Sequence, residues 1–237
     1  MKVRGTRECQ SCGTRWSYYE TGSVECPACG SMRSVGVDEE RKLHTATDTT
    51  LNLTEVREAV DDRPLREVAE RAVETTRGFV RGYGFIDGGE LQPLTDTYLA
   101  ATELRAVADT VGRTMSVDDD EEYYFLSLLR GTDLDDRLQQ DEVPESLRDS
   151  RGLAYAKAVG EYRDDLRAYL DEHPDPVASD ALERLRGHVK RVHALDGDVP
   201  TEESEALVRV ARDIGRYVAD DDEAALSRAE SRLDGLV

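Results

Sequence analysis

Lysine is nearly missing from this sequence: Lys2, Lys42, Lys157 and Lys190 stand against 27 arginines. That bias excludes the Lys- and Glu-rich composition of hyperthermophile surfaces. Positive charge is scarce overall, with 31 Lys and Arg against 51 Asp and Glu and a formal net charge of −20. A chain so acidic is not a general binder of phosphate backbones, which needs a basic face. No apolar run approaches the roughly 20 residues of a membrane span, and the opening MKVRGTREC has no apolar export core. A cytoplasmic protein without membrane association is expected. Cysteine is absent beyond residue 29, so no thiol is left there to act as a nucleophile. A G-x-S-x-G elbow, a P-loop, a dinucleotide fingerprint and an HExxH pair are also missing. A non-enzymatic protein is expected.

What is present is enough for a folded core. The chain has 237 residues, 38% of them hydrophobic, and their regular spacing excludes disorder throughout. Residues 1–37 hold five basic and three acidic side chains, so the remaining 200 residues carry a net −22. An acid-rich, lysine-poor surface suits a cytoplasm of very high salt, where hydrated carboxylates stay solvated and their repulsion is screened.

All four cysteines fall in the pattern C-x2-C-x13-C-x2-C, as Cys9, Cys12, Cys26 and Cys29. Two thiolates two residues apart can face one cation, and two such knuckles complete a tetrahedral sulfur cage. Gly13 and Gly30 follow the second cysteine of each pair, where a tight turn demands φ > 0. The expected cofactor is one structural zinc ion, with iron less favoured. Trp16, Tyr18 and Tyr19 lie between the knuckles, near Arg4, Arg7, Arg15 and Arg33. They offer a base-stacking or docking surface. A ribbon has so few other apolar residues that Trp16 is expected to face inward.

The Cys-x-x-Cys-Gly and Cys-Pro-x-Cys-Gly knuckles around a short hairpin resemble the zinc ribbon of the transcription-factor-B type. The wider stretch RECQSCGTRWSYYETGSVECPACGSMRSVGVDE resembles uncharacterised zinc-ribbon-containing proteins of haloarchaea. The resemblance implies a metal scaffold followed by an acidic helical body, and it implies no activity. No cyclin-like repeats follow the ribbon, so a basal transcription-factor role does not carry over.

Residues 1–37 therefore read as a β-hairpin zinc ribbon, 38–52 as a polar linker and 53–237 as an acidic helical domain. Helical-period stripes run from Leu65 to Tyr83 behind Pro64, from Ala100 to Met115, from Ala154 to Tyr169, from Ala181 to Leu195, from Leu207 to Val218 and from Leu226 to Leu236. Tyr123–Leu129 is apolar nearly all round and reads as an enclosed central helix, with Asp118–Glu122 at its positive end. The expected fold is mainly α: an all-α bundle of seven or eight helices behind the small ribbon.

Chemistry in the body is sparse. His188 sits on an apolar stripe and reads as a packed residue, not a ligand. Gly82–Leu91 reads as a helix end followed by a tight glycine turn. Asp87 and Glu90 in that segment are the polar contacts of an alternative ligand loop. The acidic runs Asp118–Glu122 and Asp220–Glu223 lack EF-hand spacing and read as solvated helix starts. Three functions stay open: a binding or adaptor protein with a protein partner, with transcription- or RNA-associated machinery as one setting for it; direct nucleic-acid binding through the ribbon alone; and an enzyme with a site between helices near Asp87 and Glu90.

Overall fold

The computed structural model describes residues 1–47 and 49–236. Asp48, inside the expected linker, and Val237, at the end of the expected helical domain, lie outside the described residues.

The ribbon is built on β2 (Thr6–Cys9), which pairs antiparallel with β3 (Arg15–Ser17) on one side and β4 (Ser34–Gly36) on the other. The expected hairpin thus gains a third strand, because the chain returns along β2 after the second knuckle. The strand-forming run after Thr14 also stops early. Ser17 accepts a hydrogen bond from the Glu20 N–H and starts a single helical turn, α1 (Tyr18–Thr21), which Gly22 ends at φ 58°. A side-chain cap outweighs the strand propensity of the two tyrosines.

The 38–52 segment is hydrogen-bonded to its neighbours on both sides. Its β5 (Lys42–Leu43) pairs with β1 (Lys2–Val3). Leu43 O accepts from Gly89 N (2.8 Å), and Thr45 and Ala46 N–H both donate to Ile86 O (2.8 and 3.0 Å). Ile86 belongs to a tight hairpin, β6 (Ile86–Asp87) and β7 (Glu90–Leu91), turned by Gly88 at φ 55° and Gly89 at φ 92°. That agrees with the glycine-turn reading, and φ > 0 at both loop positions suits the type I′ turn of a two-residue hairpin. Gly84 lets the segment cross: a Cβ there would lie 2.2 Å from the Thr45 carbonyl.

The body contains eight helices among the described residues: α2 (Thr54–Glu58), α3 (Leu65–Gly82), α4 (Asp96–Arg113), α5 (Asp119–Gly131), α6 (Arg148–Leu170), α7 (Pro176–Ala194), α8 (Thr201–Asp220) and α9 (Glu223–Gly235). The chain is mainly α, as its periodicity indicates. One hydrophobic core runs from Leu51 to Leu233. The central element is α6, packed on α4, α7 and α8, with Tyr155, Val159, Tyr162 and Leu166 buried.

Two expectations fail here. The enclosed helix is α6 and not α5, because Tyr123 is 72% exposed and only Tyr124, Phe125, Leu128, Leu129 and Gly131 of α5 are buried. Met115 is exposed, since α4 ends at Arg113, two residues before the stripe does. No helix among the described residues is long and apolar enough to cross a membrane.

Candidate metal centre

The two knuckles fold alike because each repeats one hydrogen-bond pattern. Cys9 N donates to Thr14 O (2.9 Å) and Gly13 N to Cys9 O (2.9 Å). Cys26 N likewise donates to Ser31 O (3.0 Å) and Gly30 N to Cys26 O (2.9 Å). Gly13 (φ 75°) and Gly30 (φ 68°) take the left-handed conformation their positions demand. The Ser11 and Ser31 hydroxyls, 3.0 Å apart, join one knuckle to the other.

This geometry brings the four Sγ atoms of Cys9, Cys12, Cys26 and Cys29 within 4.8 Å of one another. Cys9 and Cys29 are 3.7 Å apart, and Cys12 and Cys26 are 3.6 Å apart. Cys9 and Cys26 are buried while Cys12 and Cys29 face solvent. The cluster is the one group of three or more metal-type ligands found among the described residues.

The crowded sulfurs divide in their proton affinity. The Thr14 hydroxyl, its N–H and the Cys29 thiol bring the Cys12 pKa down to about 6. Burial alone would raise the Cys9 pKa, but the Ser11 and Cys12 N–H groups bring it below the ordinary thiol value. Ser31 N–H favours the Cys29 thiolate, yet the Cys12 and Cys26 sulfurs oppose it and push its pKa up to about 12. Four crowded sulfurs do not all ionise unaided; a divalent cation held by them would remove the conflict, with release of the remaining protons. The donor set, four thiolate-forming sulfurs, fits a zinc-type ion.

The ribbon's aromatic residues are largely occupied. Trp16 packs with Cys9 and Cys26 and donates Nε1–H to Ser23 O (3.0 Å). Tyr19 donates its hydroxyl to Val3 O (3.1 Å) and packs on His44, 4.9 Å between ring centres. Arg15 pairs with Glu8, and Arg7 donates to the Ser34 side chain and carbonyl.

Asp87 and Glu90 do not line the main cleft of the body. Asp87 lies 3.3 Å from His44 Nδ1, at the joint between ribbon and hairpin. The cleft begins past the other end of the hairpin, at Leu91 and Gln92. His44 is buried; its Nδ1 accepts from Gly88 N (3.2 Å), and Nε2 has no partner among the described residues. Burial lowers its pKa, more than the Asp87 carboxylate raises it.

A depressed histidine pKa makes stability fall as pH drops below the unfolded value of about 6.5, since the unfolded chain takes the proton first. We expect the unfolding free energy from urea titrations to decline from pH 7.5 to 5.5 by no more than about 1.4 kcal/mol per pH unit from this group. His44→Phe should flatten that part of the slope; identical slopes would show that the buried imidazole carries no linkage.

A second arrangement escaped the sequence reading altogether. Arg151 on α6 is fully buried. Its Nη1 donates to Glu103 on α4 (3.0 and 3.3 Å) and to the Tyr124 hydroxyl (3.0 Å). Nη2 donates to Glu205 on α8 (2.6 Å) and to Leu138 O (3.2 Å). Tyr124 and Tyr155 both donate to Glu103. Arg137 joins Glu205 (2.7 Å) to Asp96 (2.8 Å), and Asp96 holds Arg212 (2.8 Å). Burial alone would raise the Glu205 pKa, but the two guanidiniums hold it below the ordinary value. The signal available was Glu103, which stands midway between Leu99 and Val107 on an apolar stripe.

Asp118–Glu122 behaves as a helix start, whereas Asp220–Glu223 straddles the end of α8, where Asp221 takes φ 56°, and the start of α9. Asp118 and Glu121 form a reciprocal capping box on α5, and Asp222 caps α9. His188 is partly buried, which lowers its pKa.

No curated protein and no solved structure matches the chain significantly. The model of one family does match, over residues 1–233. Ribbon and helical body are thus covered by a single family model, and the chain belongs to the family of unknown function DUF7117.

Proposed function

We propose that Cys9, Cys12, Cys26 and Cys29 hold one structural zinc ion, and that the protein is a non-enzymatic zinc-ribbon adaptor that docks a protein partner. The observation that carries this reading is the closed cluster of four sulfurs within 4.8 Å. Bound there, the ion would cross-link two knuckles and leave no position for substrate or water. On this reading residues 1–37 form the ribbon, 38–52 the connecting segment and 53–237 the acidic helical domain, in a cytoplasm of high salt.

A protein partner is favoured by what the ribbon leaves outside. Met32, Val35 and Val37 are exposed apolar side chains, with Val24 beside them in the same ribbon. Aliphatic side chains of this kind suit a protein surface better than a nucleic-acid base, which stacks on aromatics. The knuckles' resemblance to transcription-factor-B-type ribbons supports a place in transcription- or RNA-associated machinery.

The test is affinity purification from the native host at its own salt, with and without nuclease, together with elemental analysis. One zinc per chain and a reproducible protein partner, insensitive to nuclease and lost in Met32→Asp/Val35→Asp, are expected. Recovery of nucleic acid alone, or a chain purified without metal, would overturn the reading.

A further inference from the structure

The body contains a cleft of about 860 Å³ between the start of α4, the end of α3 and α8, within the size range of small-molecule sites. Its walls combine the rings of Phe79, Tyr83 and Tyr162 with Leu91 and Leu94. Three of its four carboxylates are already engaged, the exception being Asp220, exposed at the end of α8. Asp96 accepts from Arg137 and Arg212, both at 2.8 Å. Asp133 accepts from Arg57 and from Leu53 N (2.8 Å). Asp135 accepts from the Thr97 N–H (3.2 Å) and hydroxyl (2.8 Å).

Donors held in place also have unspent capacity in the cleft. Arg212 is fixed by Nε to Leu94 O (2.8 Å) and by Nη2 to Asp96. Its Nη1 has no partner among the described residues, so one face of a held guanidinium is left over. Tyr162 is only 1% exposed, yet its hydroxyl makes no hydrogen bond among the described residues. That hydroxyl lies against Gly215, another residue of the cleft wall, where a Cβ would come within 2.0 Å of it. Glycine inside a helix is less favourable than alanine, and here it makes room for the hydroxyl. Burial raises the Tyr162 pKa, with the Arg212 charge opposing, so the group is a neutral donor beside a cation.

We propose that this cleft binds a small organic anion, its acidic head taken by Arg212 Nη1 and the Tyr162 hydroxyl and its flat apolar body laid against Phe79 and Tyr83. The ion-pair chain from buried Glu103 through Arg151, Glu205, Arg137 and Asp96 ends on Arg212 and holds the guanidinium in place for the head. A carboxylate and a phosphate monoester present the same acceptor chemistry to these donors.

The experiment is saturation-transfer NMR with thermal-shift titration on the full chain, using benzoate, phenyl phosphate, inorganic phosphate and benzylamine. Benzoate or phenyl phosphate is expected to bind with a dissociation constant of about a millimolar or tighter, the tighter of the two naming the head group. Inorganic phosphate, lacking the flat body, should bind more weakly, and benzylamine should show no transfer. Tyr162→Phe, which keeps the buried ring, should lose about tenfold in affinity without a change in melting, and Arg212→Gln should lose more. Should Arg212→Gln fail to fold, Tyr162→Phe decides alone. Equal binding of benzylamine, no binding of either aromatic anion, or an unchanged affinity in Tyr162→Phe would each overturn the assignment.

Discussion

Stripping the proposed zinc ion with a strong chelator is expected to unfold the ribbon while leaving the helical body standing. The two parts have separate cores: Cys9, Trp16 and Cys26 form one cluster, and the contiguous core from Leu51 to Leu233 forms the other. Three clustered residues cannot offset the conformational entropy of some 37, and a bound metal would contribute the order of 10–16 kcal/mol that folds the ribbon. The reporter is built in, because Trp16 is the single tryptophan of the chain and packs directly on two of the cysteines. Its emission should shift to that of a solvated indole as the metal leaves, and Cys26→Ser should start in that state. Far-ultraviolet ellipticity should fall only slightly. A helical melting temperature that drops in step with the tryptophan signal would instead make the ribbon a clamp on the bundle, through Tyr19, His44 and Gly88. Unchanged Trp16 emission after complete metal loss would remove the structural role of the metal.

Replacing Arg151 by methionine should destabilise the body by about 3–5 kcal/mol, the usual result of breaking a buried ion pair from one side. The substitution leaves Glu103 with only the Tyr124 and Tyr155 hydroxyls, while Glu205 keeps Arg137. For a body of this size that is a fall in melting temperature of about 10 °C. Arg151→Met combined with Glu103→Leu should recover part of the loss, since the uncompensated carboxylate goes with its partner. The network is shielded from solvent, so the loss should be nearly the same in dilute buffer and in molar salt. Surface pairs such as Arg66–Glu70 should lose their small contribution to screening. A variant within about 1 kcal/mol of the parent would show that the network adds little to stability.

Much of this architecture is legible in the residue order. The spacing of the cysteines and the glycines behind them predicts two knuckles, and Gly13 and Gly30 take the left-handed turn that reading requires. The inward Trp16 follows from the poverty of apolar residues around it. The stripes of α3, α7 and α8 bury largely the side chains their periodicity picks out. Other features depend on contacts distant in sequence. The third strand needs Val35 to meet Glu8, and the position of His44 depends on a hairpin more than 40 residues away. Tyr123 breaks the all-apolar reading of α5 because only one face of that helix meets the bundle. The arginine network was hidden because charged residues in helices are ordinarily solvated. Only an ion pair assembled from three helices makes Glu103, Arg151 and Glu205 affordable in the core.

Each knuckle shows solvent one sulfur and hides the other, and the close pairs run between knuckles: Cys9 with Cys29, and Cys12 with Cys26. An oxidant that reaches the ribbon while it is still folded therefore meets Cys12 or Cys29 first. Each has a buried sulfur of the opposite knuckle close by, Cys26 at 3.6 Å from Cys12 and Cys9 at 3.7 Å from Cys29. Oxidation would then stitch the two knuckles together instead of closing either C-x-x-C on itself, and a damaged ribbon would remain a closed loop.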